Sequence, residues 1–219
     1  MSTLLQQLND DLSGVVSRVR RSVVQVSDQR GGAGAGTIWH PDGLIVTNAH
    51  VIAAGGPLRV TLSDGRVFSA KVLARDVNRD LAALAIEASD LPVIEPGDSR
   101  RVHAGQWVLA VGHPWGVREA VTGGIVIGAG RDLIELASAT GRDWLAVALH
   151  LRPGHSGGPL VDVHGRLIGV NTLMTGPDVG VAVPVNAVKQ FLRQGLGSEH
   201  PAPSPEASAT SPEPATDFV

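Results

Sequence analysis

The sequence predicts an all-β fold of two strand-rich halves with a helix at each end. Three observations predict it. Short apolar or alternating runs recur through residues 22–86 and again through 106–184. Turn clusters such as "HPDG", "AGGP" and "SDG" separate them. Between the halves, "ASDLPVIEPGDSRRVHAG" (88–105) breaks the rhythm and reads as a connector.

In chain order, Leu4, Leu5, Leu8, Leu12, Val15, Val16 and Val19 recur at spacings of three and four. That period predicts an amphipathic helix within residues 1–22, capped by Ser2 or Thr3. The first strand set, within 23–95, comprises "SVVQVS", "AGTIWH", "GLIVTN", "LRVTLSDGRVFSAKVLA" and "LAALAI". Ser63-Asp64-Gly65 is a hairpin turn candidate. Six or so strands at this spacing fit a sandwich or a barrel, not a parallel α/β sheet. The second set, within 96–196, comprises "QWVLAVG", "EAVTGGIVIGAG", "WLAVALHL", "GPLVDVHGRLIGVNT" and "VGVAVPV". Helical spacing returns at Val185, Val188, Phe191 and Leu192. Residues 197–219 turn to Pro, Ser, Ala, Thr and Glu, and hold five of the 14 prolines. Such a segment buries too little apolar surface to offset its ordering entropy, so a disordered tail is predicted.

Composition narrows the function. Of 219 residues, 43% are apolar and only 18% charged, with net charge −3. Four acids (Glu199, Glu206, Glu213, Asp217) lie in the tail, leaving about +1 on the remainder. No strong field therefore draws the chain to nucleic acid or an anionic membrane. No cysteine is present, which excludes disulfides and thiolate metal sites. Asp10 and Asp11 interrupt the place where a signal peptide would be apolar, and no run approaches the ~20 apolar residues of a spanning helix. A soluble, cytoplasmic chain is the expectation.

Acyl transfer from a peptide needs a nucleophile, a base, a group that orients the base, and donors for the oxyanion. His50, in "GLIVTNAHVI", follows the end of a strand of buried type and is the base candidate. Asp80, in "DVNRDLAALAI", directly precedes an apolar strand that would carry it toward the core. A buried carboxylate there needs a partner. Ser156, in "LRPGHSGGPL", stands among glycines that permit a tight turn and close approach of a substrate backbone. Such a turn can aim the amides of Gly154 and Ser156 at one point. Singly, each has a plainer reading: a surface histidine, a turn acid, a glycine turn. Together the three converge on one chemistry.

"TNAHVI", "DLAALAI" and "GHSGGPL", in the order His, Asp, Ser, resemble the chymotrypsin-fold serine proteases. The details resemble the HtrA (Deg) branch over roughly residues 5–195, including "PGDSRRVHAGQWVLAVGHPWGVREAVTGGIVIGAGR" and "GVAVPVNAVKQFL". The resemblance implies two six-stranded antiparallel β-barrels of chymotrypsin type. It implies His50 as general base and then acid, Asp80 as its orienting partner, Ser156 as nucleophile, and the Gly154 and Ser156 amides as oxyanion donors. It further implies a cofactor-free endopeptidase acting on unfolded or extended polypeptides, in quality control or regulated proteolysis. The alternative is a catalytically silent peptide-binding or chaperone-like module with a collapsed oxyanion loop.

Three departures from the family pattern stand out. His113 and Trp115 occupy positions where relatives usually carry asparagine and phenylalanine, and His155 stands where they carry Asn or Asp. After residue 195 neither length nor composition suits a PDZ domain. The N-terminal helix lacks the aromatics on which HtrA trimers are often built, so no feature supports a homo-oligomer. A metal site of His113, His150 and His155 is the third-ranked reading, since no acidic or thiolate ligand clusters with them. The specificity pocket is expected beside His150, with Thr172, Leu173 and Met174 as an apolar wall and no acid at its floor. A cationic residue before the scissile bond would then be unpaired, so small or medium aliphatic residues are expected. Finally, the tail end "TDFV" offers an apolar residue of the kind that peptide-recognition grooves capture.

Overall fold

The computed structural model describes residues 3–28, 32–130, 143–175 and 178–197. Ser2, the second cap candidate, and the tail beyond Gly197 lie outside the described residues. Thr3 caps helix α1 (Leu4–Arg20), its hydroxyl accepting from the Gln6 amide at 3.3 Å.

Six strands follow: β1 (Val23–Asp28), β2 (Ala33–His40), β3 (Leu44–Thr47), β4 (Leu58–Thr61), β5 (Val67–Asp76) and β6 (Leu81–Ala85). They close into an antiparallel barrel in the order β1-β2-β3-β6-β5-β4. The second six are β7 (Trp107–Gly112), β8 (Ala120–Ala129), β9 (Leu145–Ala148), β10 (Pro159–Asp162), β11 (Leu167–Met174) and β12 (Val179–Pro184). Their order, β7-β8-β9-β12-β11-β10, repeats the first. Helix α2 (Val185–Leu196) ends the fold. The two-barrel architecture expected from the resemblance is thus present, and closure leaves no open sheet edge.

The two barrels share a hairpin device. The Leu62 amide donates to the Arg66 carbonyl at 2.9 Å, and the Asp162 amide to the Arg166 carbonyl at 3.0 Å. Each turn relies on a glycine with positive φ, +91° at Gly65 and +84° at Gly165. A left-handed residue closing a short hairpin selects glycine.

Period-two alternation places the cores. Val24, Val26, Ile38, Ile45, Val60, Ala82 and Leu84 fill the first barrel. Val108, Ala110, Val126, Leu145, Val147, Leu160 and Ala182 fill the second. A third cluster lies between them. Val23, Trp39, Leu44, Val46, Leu81 and Ala83 meet Val111, Val161, Leu167, Val170, Val181 and Val183 there. Because β3 and β6 are buried on both faces, they read as near-continuous apolar runs, "LIVT" and "LAALA". Val185, Val188, Phe191 and Leu192 of α2 join this third cluster.

The connector is tied to α2. The Asp98 carboxylate accepts from Asn186 Nδ2 at 2.7 Å, and Lys189 Nζ donates to the Gly97 carbonyl at 2.6 Å. The Arg100 guanidinium beside Asp98, with Asn186, holds its carboxyl well below the usual carboxylate range.

The N-terminal helix differs from its periodicity. Its apolar stripe is continuous in sequence, yet only Val15 and Val19 are buried, packed toward Gly165. Leu4, Leu5 and Leu8 are exposed, because only the C-terminal half of α1 lies on the barrels. No described helix is long and apolar enough to cross a membrane.

Removing the ring that α2 inserts between the barrels should be costly. Phe191→Ala is expected to lose about 3–5 kcal/mol, whereas Leu8→Ala on the exposed stripe should stay within about 0.5 kcal/mol. Urea unfolding midpoints compared at unchanged m-value check both.

Candidate active site

Strand register brings the first pair together. Thr47 of β3 lies opposite Ala82 of β6. Continuing that antiparallel ladder past the strand ends sets His50 beside Asp80. The His50 amide donates to Asp80 Oδ1 at 3.0 Å, and the ring Nδ1 lies 2.8 Å from Oδ2. A carboxylate only accepts, so Nδ1 carries the proton and Nε2 presents its lone pair. The Asn48 side chain donates to the Asp80 carbonyl at 2.9 Å. Asp80 sits at φ +53°, a left-handed position that Asp tolerates better than most residues. Its side chain is 17% exposed against 49% for His50.

Thr172 of β11 joins both halves of the site. Its hydroxyl donates to Asp80 Oδ2, and its carbonyl accepts from Ser156 Oγ at 2.8 Å. Burial pushes the Asp80 carboxyl up, but hydrogen bonds from His50 and Thr172 outweigh it and leave Asp80 below its ordinary value. Sequence reasoning placed Thr172 only on a pocket wall. Nothing in the sequence marks a strand threonine as a carboxylate partner.

The loop before β10 is built from two turns. The His155 amide donates to the Arg152 carbonyl at 2.9 Å, and the Gly158 amide to the His155 carbonyl at 3.0 Å. Pro153 and Gly154 are the central residues of the first turn, with Gly154 at φ +104°; Gly157 is third in the second, at φ +84°. Positive φ at the third residue only makes both turns type II. The His113 amide fixes the Gly154 carbonyl at 2.8 Å, and the Gly157 amide donates to the Asn171 carbonyl at 2.9 Å. Gly154 and Ser156 are left as loop amides without an intramolecular acceptor among the described residues. A Cβ at Gly157 would overlap the Ala35 carbonyl and the Thr47 hydroxyl, so the loop presses on the first barrel. The Ala35 amide in turn donates to the Ser156 carbonyl at 2.8 Å.

The remaining predicted positions separate. His150 is exposed, with Nδ1 3.4 Å from Asp178 Oδ1. An acid does lie beside His150, because Ala148 of β9 pairs with Val179 of β12, which brings Asp178 close to it. That carboxylate is 84% exposed and already shared, so it is no buried counter-ion. Leu173 is exposed, and the Met174 sulfur accepts from the Leu151 amide at 3.3 Å. His113 and His155 are both buried, apart from His150. Among the described residues no group of three or more His, Asp or Glu side chains converges as a metal site.

Burial lowers His113 from the ordinary 6.5 to about 4, the Val24 backbone opposing and the charges of Arg118 and His155 assisting. The unfolded chain then binds an extra proton between about pH 6.5 and pH 4, so stability rises with pH through that window. Acidification across it should cost about 3 kcal/mol through His113. His113→Asn is expected to flatten the decline, as read from urea midpoints at pH 7 and pH 4.5.

The chain is similar to known proteins in sequence and in fold. The sequence profile of the trypsin-like peptidase domain matches residues 34–170, more than half of the chain. The chloroplastic protease Do-like 1 of Arabidopsis thaliana is 41% identical over 173 residues, covering 74% of this chain and 39% of its own length. A DegP-like periplasmic serine endoprotease of Marinomonas sp. is 42% identical over 171 residues, covering 76% of this chain and 36% of its own. The chain thus spans about two fifths of the length of these curated relatives. The HtrA-type protease AlgW, solved with a decapeptide, superposes with TM-score 0.75 at 28% identity, covering 85% of this chain and 68% of that one. The chain belongs to the trypsin-like peptidase domain family, in its HtrA/DegP-like branch.

Proposed function

We propose that this domain is the catalytic unit of a serine endopeptidase that cleaves extended polypeptides through an acyl-enzyme. One observation carries the reading. Thr172 links Ser156 to Asp80, which holds His50, beside two type II turns that leave the Gly154 and Ser156 amides without an acceptor among the described residues. The free amides are the donors an oxyanion needs. A collapsed loop would have lost the positive φ at Gly154, so the silent-module reading is not favoured.

In the resting arrangement the Ser156 proton is given to the Thr172 carbonyl. Rotation about χ1 turns that hydroxyl to His50 Nε2. As Oγ attacks the scissile carbonyl carbon, Nε2 takes its proton, and Asp80 stabilises the imidazolium without becoming protonated. The carbonyl oxygen becomes an oxyanion between the Gly154 and Ser156 amides. Collapse breaks the C–N bond, and His50 gives its proton to the leaving amine. Water then repeats the sequence on the ester, with His50 again as base, and frees Ser156 and the new carboxyl group. Asp80 lies below its ordinary carboxylate value, so it stays ionised through the neutral range.

For substrate choice, Leu149 and Leu151 are buried behind Gly180, with Leu173 and Met174 beyond. These surroundings suit a small or medium aliphatic side chain before the scissile bond. The decapeptide solved with AlgW supports polypeptide substrates, and a place in quality control or regulated proteolysis is the reading that goes with the HtrA resemblance.

Wild type should be labelled by a fluorophosphonate and should cleave casein, whereas Ser156→Ala should do neither. Wild type left unlabelled at all pH values would refute the peptidase reading. Cleavage profiling on a peptide library should return Val, Ala, Ile or Leu before the cut. Mainly Lys or Arg there would refute the aliphatic pocket.

A further inference from the structure

The residue preceding Ser156 carries an inference that rests on the peptidase reading and deepens it. His155 is only 1% exposed, yet it is an ionisable side chain in the loop that shapes the site. Its Nδ1 lies 3.2 Å from the Arg152 amide nitrogen, which donates to it. The Arg152 carbonyl already accepts from the His155 amide at 2.9 Å. Ring and backbone of His155 together therefore grip both polar groups of Arg152 and close the turn that holds Pro153 and Gly154. The same ring position lies 3.2 Å from the Arg152 carbonyl, so a proton on Nδ1 would find an acceptor but strand the Arg152 N–H. Above the turn, the Arg152 guanidinium rests 4.9 Å from the Trp115 ring centroid.

We propose that His155 is a positioning residue for the oxyanion turn, one that holds the turn only as a neutral imidazole and so gives the peptidase a second acid-sensitive step.

The surroundings support this. Acting as acceptor at Nδ1 puts the neutral proton on Nε2, which is buried and has no hydrogen-bond partner among the described residues. A second proton would create a buried cation. Beyond the Arg152 carbonyl, the groups facing it offer no negative charge. Arg152 on its own loop is cationic, and His113 at the end of β7 is an imidazole with Arg118 nearby. The Glu119 amide donates to His113 Nδ1, and the Glu119 carboxylate is taken by Arg20 at 3.1 Å. Burial and the Arg152 charge accordingly oppose protonation of His155, the Arg152 backbone opposing them less strongly. Once protonated, Nδ1 cannot accept. The Arg152 amide loses its partner, and the Pro153–Gly154 peptide is freed to turn its amide away from the oxyanion.

This role separates from both catalysis by His50 and simple packing. Three proteins are compared: wild type, His155→Asn, whose side-chain oxygen can take the Arg152 amide at any pH, and His155→Leu, which fills space without an acceptor. On a peptide substrate, the acid limb of kcat/KM for wild type should steepen from one proton to two. His155→Asn should keep activity near neutrality and show a one-proton limb throughout. His155→Leu should lose about 10²-fold in kcat with little change in KM, as expected for a displaced oxyanion donor. A two-proton limb retained in His155→Asn, or full kcat in His155→Leu, would overturn the proposal. A readout without turnover keeps the test independent of the peptidase reading and of whether His155→Leu folds. In Ser156→Ala, the Arg152 amide and the His155 imidazole should titrate together by NMR. An Arg152 amide that stays fixed while His155 titrates would refute the coupling even if cleavage is normal. Wild type that neither cleaves nor is labelled refutes the peptidase reading and leaves this titration to decide the coupling.

Discussion

The site depends on two short strands buried on both faces. β3 and β6 pair with each other, line the first barrel with Ile45, Ala82 and Leu84, and face the second barrel with Leu44, Val46, Leu81 and Ala83. Burial on both sides fixes their register, because a slip of one residue would exchange the two faces and misplace both cores. The chain leaves β3 three residues before His50 and enters β6 one residue after Asp80. The 2.8 Å hydrogen bond between their side chains is thus positioned by apolar packing. Its value here is that the imidazole arrives already oriented.

The serine loop is joined to that frame by exclusion. Glycines at Gly154, Gly157 and Gly158 stand where the loop comes closest to the first barrel and to β7 and the residue after it. A side chain at Gly158 would overlap the Val111 carbonyl, and one at Gly154 would overlap the His113 carbonyl. The close approach lets one main-chain bond, Ala35 to Ser156, span the two barrels, while another, His113 to Gly154, ties the loop to the end of β7. Much of the loop's attachment to the barrels is therefore made by backbone groups. That explains why the choice at His155 acts on the turn and leaves the barrels alone.

Much of this was legible in the sequence, and the rest failed for identifiable reasons. Alternation and turn residues sufficed for the strands, because one-sided and two-sided burial leave different marks, as "LIVT" and "VFSAKVLA" show. The order of the histidine, aspartate and serine blocks was legible because close backbone approach demands glycine around Ser156. Thr172 was not, since its link to Asp80 crosses 92 positions and leaves no spacing to detect. The exposure of Leu4, Leu5 and Leu8 was not either: periodicity reports an apolar face, and only the tertiary structure says whether anything covers it. The left-handed conformation of Asp80 was equally silent, because Asp serves ordinary turns as well.

The duplicated topology gives a control within the molecule. The link from β3 to β4 carries His50, and the equivalent link from β9 to β10 carries both His150 and Ser156. The link into β6 ends in Asp80, and the equivalent link into β12 ends in Asp178. Each barrel consequently forms a histidine–aspartate pair at the same place in its topology, at 2.8 Å in the first and 3.4 Å in the second. Topology alone does not distinguish them. Burial does: the Asp80 side chain is 17% exposed and has Thr172 as a further donor, whereas Asp178 is 84% exposed. In water a carboxylate exerts only a screened pull on its histidine. Withdrawn from water and hydrogen-bonded, it fixes the ring and would favour the imidazolium of the proposed mechanism. The two pairs therefore differ by the inter-barrel contact that covers one of them. The chemistry belongs to the seam between the barrels, and neither barrel could supply it alone.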